Sequence, residues 1–226
     1  MKIIKKVLLA FVIISITGTV NPTIAQEKQE DKIDASINVL EDFQKMKESI
    51  PSELLAITQG IIIIPKMINA GFVVGAKRGK GIAMVKLEDG TWSNPVFVTM
   101  TGGSVGLQAG VQSVDLVLVF KNRETLENIG DQSFTLGGDI SVAAGPVGRS
   151  STASTDLKLE AEVYSYSRSK GLFAGISLSG SVIEVDGKAN EAFYGEEKTS
   201  AELFADASED NSADVARLKT TLEGMY

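Results

Sequence analysis

The sequence predicts an α+β fold in which a curved, largely antiparallel, glycine-rich sheet is flanked by N- and C-terminal helices. Three observations predict it. Apolar residues recur at three- and four-residue steps after Lys32 and again from Val215. Through most of the stretch between them the period falls to two, as in strands with alternating faces. The 22 glycines are concentrated in that middle part, where they suit turns and close backbone approaches. Helices enclosing an antiparallel sheet satisfy all three.

The chain opens on a segment that reads as an export signal. Lys2, Lys5 and Lys6 supply the positive start, and Val7 to Ile16 form an apolar run of about ten residues, a length suited to a signal core. Thr23 and Ala25 place small residues around a cut before Gln26. The run is short for the ~20 residues of a transmembrane helix. Residues 26–226 are then expected to form one domain, with an exported, periplasmic or secreted location.

In the mature part, Gln26 to Asp31 is polar and reads as a frayed start. Ile33, Ile37, Leu40, Phe43 and Met46 then make one stripe of a helix that ends before Pro51. That helix also carries Lys32, Lys45 and Lys47, which suit a membrane interface, against Asp34, Glu41, Asp42 and Glu48. Pro51-Ser52-Glu53 opens a second helix, closed by Gly60. Ile61 to Ile64 has no polar face and must be buried on both sides. Gly71 to Ala76 is apolar, and Lys77-Arg78-Gly79-Lys80-Gly81 reads as a basic turn. Asp89-Gly90 fits a tight hairpin between Ile82–Leu87 and Thr91–Thr99.

Val114 to Phe120 reads as a strand, followed by a short helix capped by Asn122 and stopped at Gly130. Phe134–Ala144, Leu157–Arg168 and Leu172–Ile183 each alternate as strands. In the first and third, one side is greasy and the other rich in Gly, Ser and Ala. That small-residue side has room for a helix or an acyl chain. Thr199-Ser200-Ala201-Glu202 matches a capping box, and Val215, Leu218 and Leu222 form the inner stripe of the last helix.

Composition prunes function. The 226 residues include no Cys and no His. Disulfides, thiolate nucleophiles, imidazole ligands and histidine-dependent triads are therefore excluded. Loss of residues 1–25, with three lysines and no acid, takes the net charge from −7 to −10. Such acidity argues against nucleic acid as a partner. The Gly102–Gly110 run lacks the Gly-Lys-Ser/Thr ending of a phosphate-binding loop, and Asp186–Glu191 is too short for a calcium-binding loop. Asp115, Asp139, Glu160, Glu184, Asp186 and Glu191 are acids of the type a glycoside-cleaving pair needs. No pattern brings two of them together, and surface charge accounts for them. No catalytic residue, metal or cofactor is implied.

Several segments carry a family resemblance over residues 50–195. They include Gly71-Phe72-Val73-Val74-Gly75, Gly79-Lys80-Gly81, Trp92-Ser93-Asn94-Pro95 and the Gly102–Gly110 run. They continue with Asp115 to Phe120, Gly137-Gly138-Asp139, Gly145-Pro146-Val147-Gly148-Arg149, Tyr164-Ser165-Tyr166-Ser167 and Lys170 to Gly175, and close with Asn190 and Tyr194-Gly195. In this order and spacing the chain resembles the SYLF-domain family. The resemblance implies a lipid-binding domain whose eukaryotic relatives bind phosphoinositides and in some cases actin. The expectation is a non-catalytic domain of the cell envelope that binds phospholipid or an anionic membrane surface. The alternative is a structural domain that binds another envelope protein. Candidate lipid-binding residues are Lys77, Arg78 and Lys80 in one basic segment and Arg168 and Lys170 in a second. They act together if the fold brings both to one edge of the sheet.

Overall fold

The computed structural model describes residues 22–46, 50–130, 133–146, 160–173, 175–208 and 212–225. Two long strands organise it. Strand β1 (Gly60–Val85) and strand β2 (Val96–Phe120) pair antiparallel over nearly their whole length, from Gly60↔Phe120 to Ala83↔Val96. This ribbon is too long to lie flat on a small domain, and it bends back on itself. Register shifts between Ile64 and Met67 and between Gly71 and Val73 mark the bends. The returning limb of β1 crosses against its first limb. Gly81 lies so close there that a Cβ would sit 1.9 Å from the Ile63 carbonyl oxygen. The Lys86 amide donates to the Gln59 carbonyl at 2.8 Å, tying the two ends of β1 together.

The doubled ribbon is extended by β3 (Phe134–Leu136), β4 (Val142–Ala144), β5 (Val163–Ser169), β6 (Leu172–Phe173) and β7 (Ser181–Val185). One limb of β2 pairs with β5 and the other with β7; β7 carries β3, and β5 carries β4 and β6. The β4–β5 pair is parallel and the others are antiparallel. The result is a strongly curved, nearly closed sheet, so the expected α+β class holds.

Both faces of that sheet are covered. Ile61 and Ile63 enter one core with Val117, Val119, Tyr164 and Tyr166, and Ile62 and Ile64 enter a second with Leu116, Leu118 and Phe120. The period of two therefore divides each strand between two cores. The first core is closed by helices α1 (Pro22–Lys45), α2 (Ser52–Ala56), α4 (Gly187–Tyr194) and α6 (Ala213–Glu223). The second is closed by α3 (Glu124–Glu127) and its following 3-10 turn, by β3, and by α5 (Ser200–Ala205). Each expected stripe is buried: Ile33, Ile37, Leu40 and Phe43 of α1, and Val215, Leu218 and Leu222 of α6. The Thr199–Glu202 capping box forms as expected, and Asn122 Oδ1 accepts the Glu124 amide at 3.0 Å.

Several expectations are corrected. Residues 77–81 belong to a strand and not to a turn. The stretch 134–144 is interrupted at Gly137, whose φ of +75° turns the chain, with Asp139 Oδ2 accepting the Thr135 amide. The stretch 172–183 is interrupted by a segment ending at Gly180, φ +76°. The continuous small-residue sheet face therefore does not exist. Residues 157–159 of the remaining strand lie outside the described residues, as do residues 1–21 of the export-signal reading. Helix α4, which sequence pattern did not indicate, begins where Asp186 Oδ1 accepts the Ala189 amide at 3.2 Å. Helix α1 starts well before Lys32, and its buried stripe is not available to a membrane.

The Gly81–Ile63 approach generates a stability prediction. Gly81→Ala drives a methyl group into backbone and is expected to destabilise by about 3 kcal/mol or more. Gly103→Ala, with nothing within 4 Å of its Cβ position, is expected to be neutral within about 0.5 kcal/mol. Urea denaturation of both variants provides the check.

Candidate functional site

The bend that shortens the ribbon also collects positive charge. Lys66 sits in the first bulge with φ +50°, an uncommon conformation for a side-chain-bearing residue. Its amide is taken out of the ladder and donates to Asp115 Oδ1 at 2.9 Å. Asp115 Oδ2 in turn accepts from Arg168 Nη2 at 2.7 Å, and the same nitrogen lies 2.8 Å from Asp42 Oδ2. Arg168 is mostly buried, so this pairing fastens α1 to β2 and β5 at the level of the bulge.

The fastening acts near the C-terminal end of α1, and the charge environment of its earlier part is reported by Lys32. Burial, followed by the positive charges of Lys80, Lys28 and Lys66, pushes the Lys32 ammonium below the usual lysine pKa, and Asp31 opposes the shift. Lys32 of α1 is therefore near enough to Lys28 of its own helix and to Lys66 and Lys80 of β1 to be repelled by each of them. Lys28, Lys66 and Lys80 are exposed. Lys80 also pairs with Asp186 Oδ2 at 2.5 Å. Burial works against ionisation of Asp186, but the hydrogen bond and charge of Lys80, the Ala189 amide and the Thr99 hydroxyl hold its carboxyl below the usual range. Stability from that carboxylate is present above its unfolded pKa and is lost as pH falls through the folded one.

The five residues expected to bind lipid are placed unequally. Arg78 is exposed on β1, and Lys170 is exposed at the tip of the β5–β6 hairpin, whose turn uses φ +51° at Lys170 and +76° at Gly171. Lys80 and Arg168 are exposed and mostly buried respectively, each held by carboxylates. Lys77 is only 3% exposed, and its ammonium donates to the Ser177 carbonyl. Desolvation lowers its pKa. The sequence reading missed Lys28 and Lys66 and noted Lys32 only as part of the helix. A lysine directly after the Ile61–Pro65 run was the available signal for Lys66.

Residues 66–86, 96–114 and 163–183 contain Lys66, Lys77, Arg78, Lys80, Lys86, Arg168 and Lys170 and no Asp or Glu. Acids border these segments at Asp115 of β2 and Glu184 of β7, and Asp115 is paired with Arg168. The acids considered for catalysis include three with structural partners: Asp115 under Arg168, Asp139 in its turn, and Asp186 capping α4. Among the described residues no cluster of three or more carboxylates is placed to hold a metal ion. An open depression of about 400 Å³ lies elsewhere, between Glu88, Asp89, Glu127, Arg123 and Phe204. Its carboxylates suit no acidic ligand.

Comparison with known proteins agrees with the motif reading. The profile of the family described as "Ysc84: Las17-binding protein actin regulator" matches residues 101–225. Protein YSC84 of Saccharomyces cerevisiae is 37% identical over 197 residues, covering 83% of this chain and 42% of the relative. LAS seventeen-binding protein 3 of the same organism is 36% identical, with the same coverage. The human SH3 domain-containing YSC84-like protein 1 is 35% identical over 181 residues, covering 77% of this chain and 52% of the relative. The chain thus spans about half the length of the curated relatives it matches, or less.

Removing the guanidinium at the bulge tests how α1 is positioned. Arg168→Met leaves Asp42 and Asp115 without their shared cation and is expected to lower stability by about 2–3 kcal/mol. Asp42→Asn, at a more exposed carboxylate, is expected to lose about 1 kcal/mol or less. Equal losses in urea denaturation would show that Arg168 does not depend on Asp115.

Proposed function

Because this chain belongs to the Ysc84, or SYLF, family, we propose that it is a non-catalytic domain that binds anionic lipid at a membrane surface. The observation that carries this reading is the Lys28–Lys32–Lys66–Lys80 cluster. Like charges held together by the fold are a burden on the free protein. A phosphate-bearing headgroup placed among them turns that repulsion into attraction. Arg78 and Lys170 extend the positive surface toward the bent end of the ribbon. Each Lys or Arg brought to an anionic surface contributes on the order of 1 kcal/mol, screened by salt.

The site of action is proposed to be the cell envelope, from the charged, apolar and small-residue pattern of residues 1–25. Cleavage before Gln26 would retain both Lys28 and Lys32. A second reading rests on the relatives' names, one of which describes binding to LAS seventeen and another the presence of an SH3 domain: this domain would then hold a protein partner and not a lipid.

Vesicle flotation separates the two. The protein is expected to float with phosphatidylcholine vesicles containing phosphatidylglycerol at low ionic strength, and to detach as salt is added. Lys32→Gln with Lys66→Gln is expected to weaken this binding roughly 30-fold. The folded Lys32 pKa lies below its unfolded value, so the charged ammonium opposes folding and stability rises as pH increases through the folded pKa. Lys32→Gln is therefore expected to leave thermal stability at neutral pH unchanged or raised. Failure of the unmodified protein to float with either vesicle, together with stoichiometric recovery of one envelope protein, defeats the lipid reading.

A further inference from the structure

The bent end of the ribbon leaves large apolar side chains in the open. Phe72 is 74% exposed, Val74 72% and Val111 73%, and Ile68 is 45% exposed beside them in the same ribbon. Leu172, 73% exposed, flanks the turn of the β5–β6 hairpin, whose neighbour Ser169 donates its hydroxyl to the Ser113 carbonyl at 3.1 Å. That bond brings the second hairpin alongside the base of the first. Ala70 pairs with Val111 and Ile68 with Ser113, so Ile68 and Val111 share one face of the ribbon, and Phe72 and Val74 follow beyond the second register shift. Exposed singly such residues need no explanation; gathered at one projecting end they do.

The geometry of the bend explains the projection. A Cβ at Gly71 would lie 2.5 Å from the Gly75 Cα, so β1 folds sharply between these two glycines and thrusts Phe72 and Val74 outward. Toward the base of the projection Lys66, Arg78 and Lys80 of β1 and Lys170 of the adjoining hairpin are exposed, while the nearby acids are engaged, Asp115 by Arg168 and the Lys66 amide and Asp186 by Lys80. No acid occurs in residues 66–86, 96–114 or 163–183. Exposed cations beside an apolar point match an anionic bilayer, whose phosphates lie at its surface with hydrocarbon directly beneath.

We infer that the tip of the folded ribbon, led by Phe72 and Val74, inserts into the bilayer while the surrounding cations rest on lipid phosphates. This inference builds on the lipid reading above and adds depth to it: the protein penetrates below the headgroups. The exposed cations provide encounter and orientation, and the apolar tip slows departure.

The test uses the full chain and vesicles of phosphatidylcholine with phosphatidylglycerol. Trp92 is buried, so Phe72→Trp adds a second indole at the tip. Its emission is expected to shift to the blue on vesicles and to be quenched by lipids brominated on their acyl chains. Phe72→Ser with Val74→Ser alters two solvent-facing residues, so its thermal unfolding is expected to match the parent. Its vesicle binding is expected to fall roughly tenfold or more, with the residual binding more salt-sensitive. Binding of Phe72→Trp without acyl-chain quenching overturns insertion and leaves headgroup binding standing. Absence of binding by the parent overturns the lipid reading and this inference with it. A dimer in sedimentation equilibrium that dissociates in the serine variant assigns the tip to a second copy of the chain and overturns insertion.

Discussion

The structure depends on one contact, the approach of β1 to itself where Gly81 meets the Ile63 carbonyl. No side chain fits between those backbones, so the ribbon can double back only because position 81 carries none. Everything else follows from the doubling. It brings Gln59 to Lys86 and closes the sheet. It creates a wall with two buried faces, and the interleaved isoleucines at 61–64 fill both cores. It also forces the middle of a ribbon about twenty-five residues long out of the body as a folded tip.

The same bend accounts for the distribution of charge. A bulge at Lys66 removes one amide from the ladder, and that amide needs an acceptor. Asp115 provides it and is itself held by Arg168. The arginine also reaches Asp42, so the orientation of α1 is set by the defect in the strand. The Lys32 ammonium is held below the usual lysine pKa by burial first and then by the charges of Lys80, Lys28 and Lys66. Lys80 has a carboxylate partner in Asp186, and the packing of the two cores outweighs the remaining repulsion.

Affinity and stability are thereby separated in space. The cores lie on the two faces of the sheet, and the exposed cations and apolar tip lie at the end of the ribbon beyond them. Changes at Phe72 or Lys32 act on surface chemistry, whereas changes at Gly81 or Ile63 act on the fold. The chain has neither imidazole nor thiol, and its exposed apolar residues Phe72, Val74 and Val111 lie apart from the two cores.

The sequence by itself determined those features that depend on neighbours in the chain: the stripes of α1 and α6, the Thr199–Glu202 cap, the two-sided burial of Ile61–Ile64 and a turn at Asp89-Gly90, where the Gly90 amide donates to the Leu87 carbonyl. These are set by period, capping geometry and composition, which are local. Tertiary structure alone decided the rest. Glycine reads alike in a turn and in a close strand crossing, so residues 77–81 pass for a loop until Ile63 is seen against Gly81. Alternation continues through Gly137 and Gly180, yet positive φ angles there turn the chain, after β3 ends and before β7 begins. Lys77 and Arg78 are neighbours of equal charge, yet one is sealed against Ser177 and the other meets water, because the pleat sends them to opposite faces. Lys28 and Lys66 lie thirty-eight residues apart in the chain, and only the tertiary structure brings the charge of both to bear on Lys32.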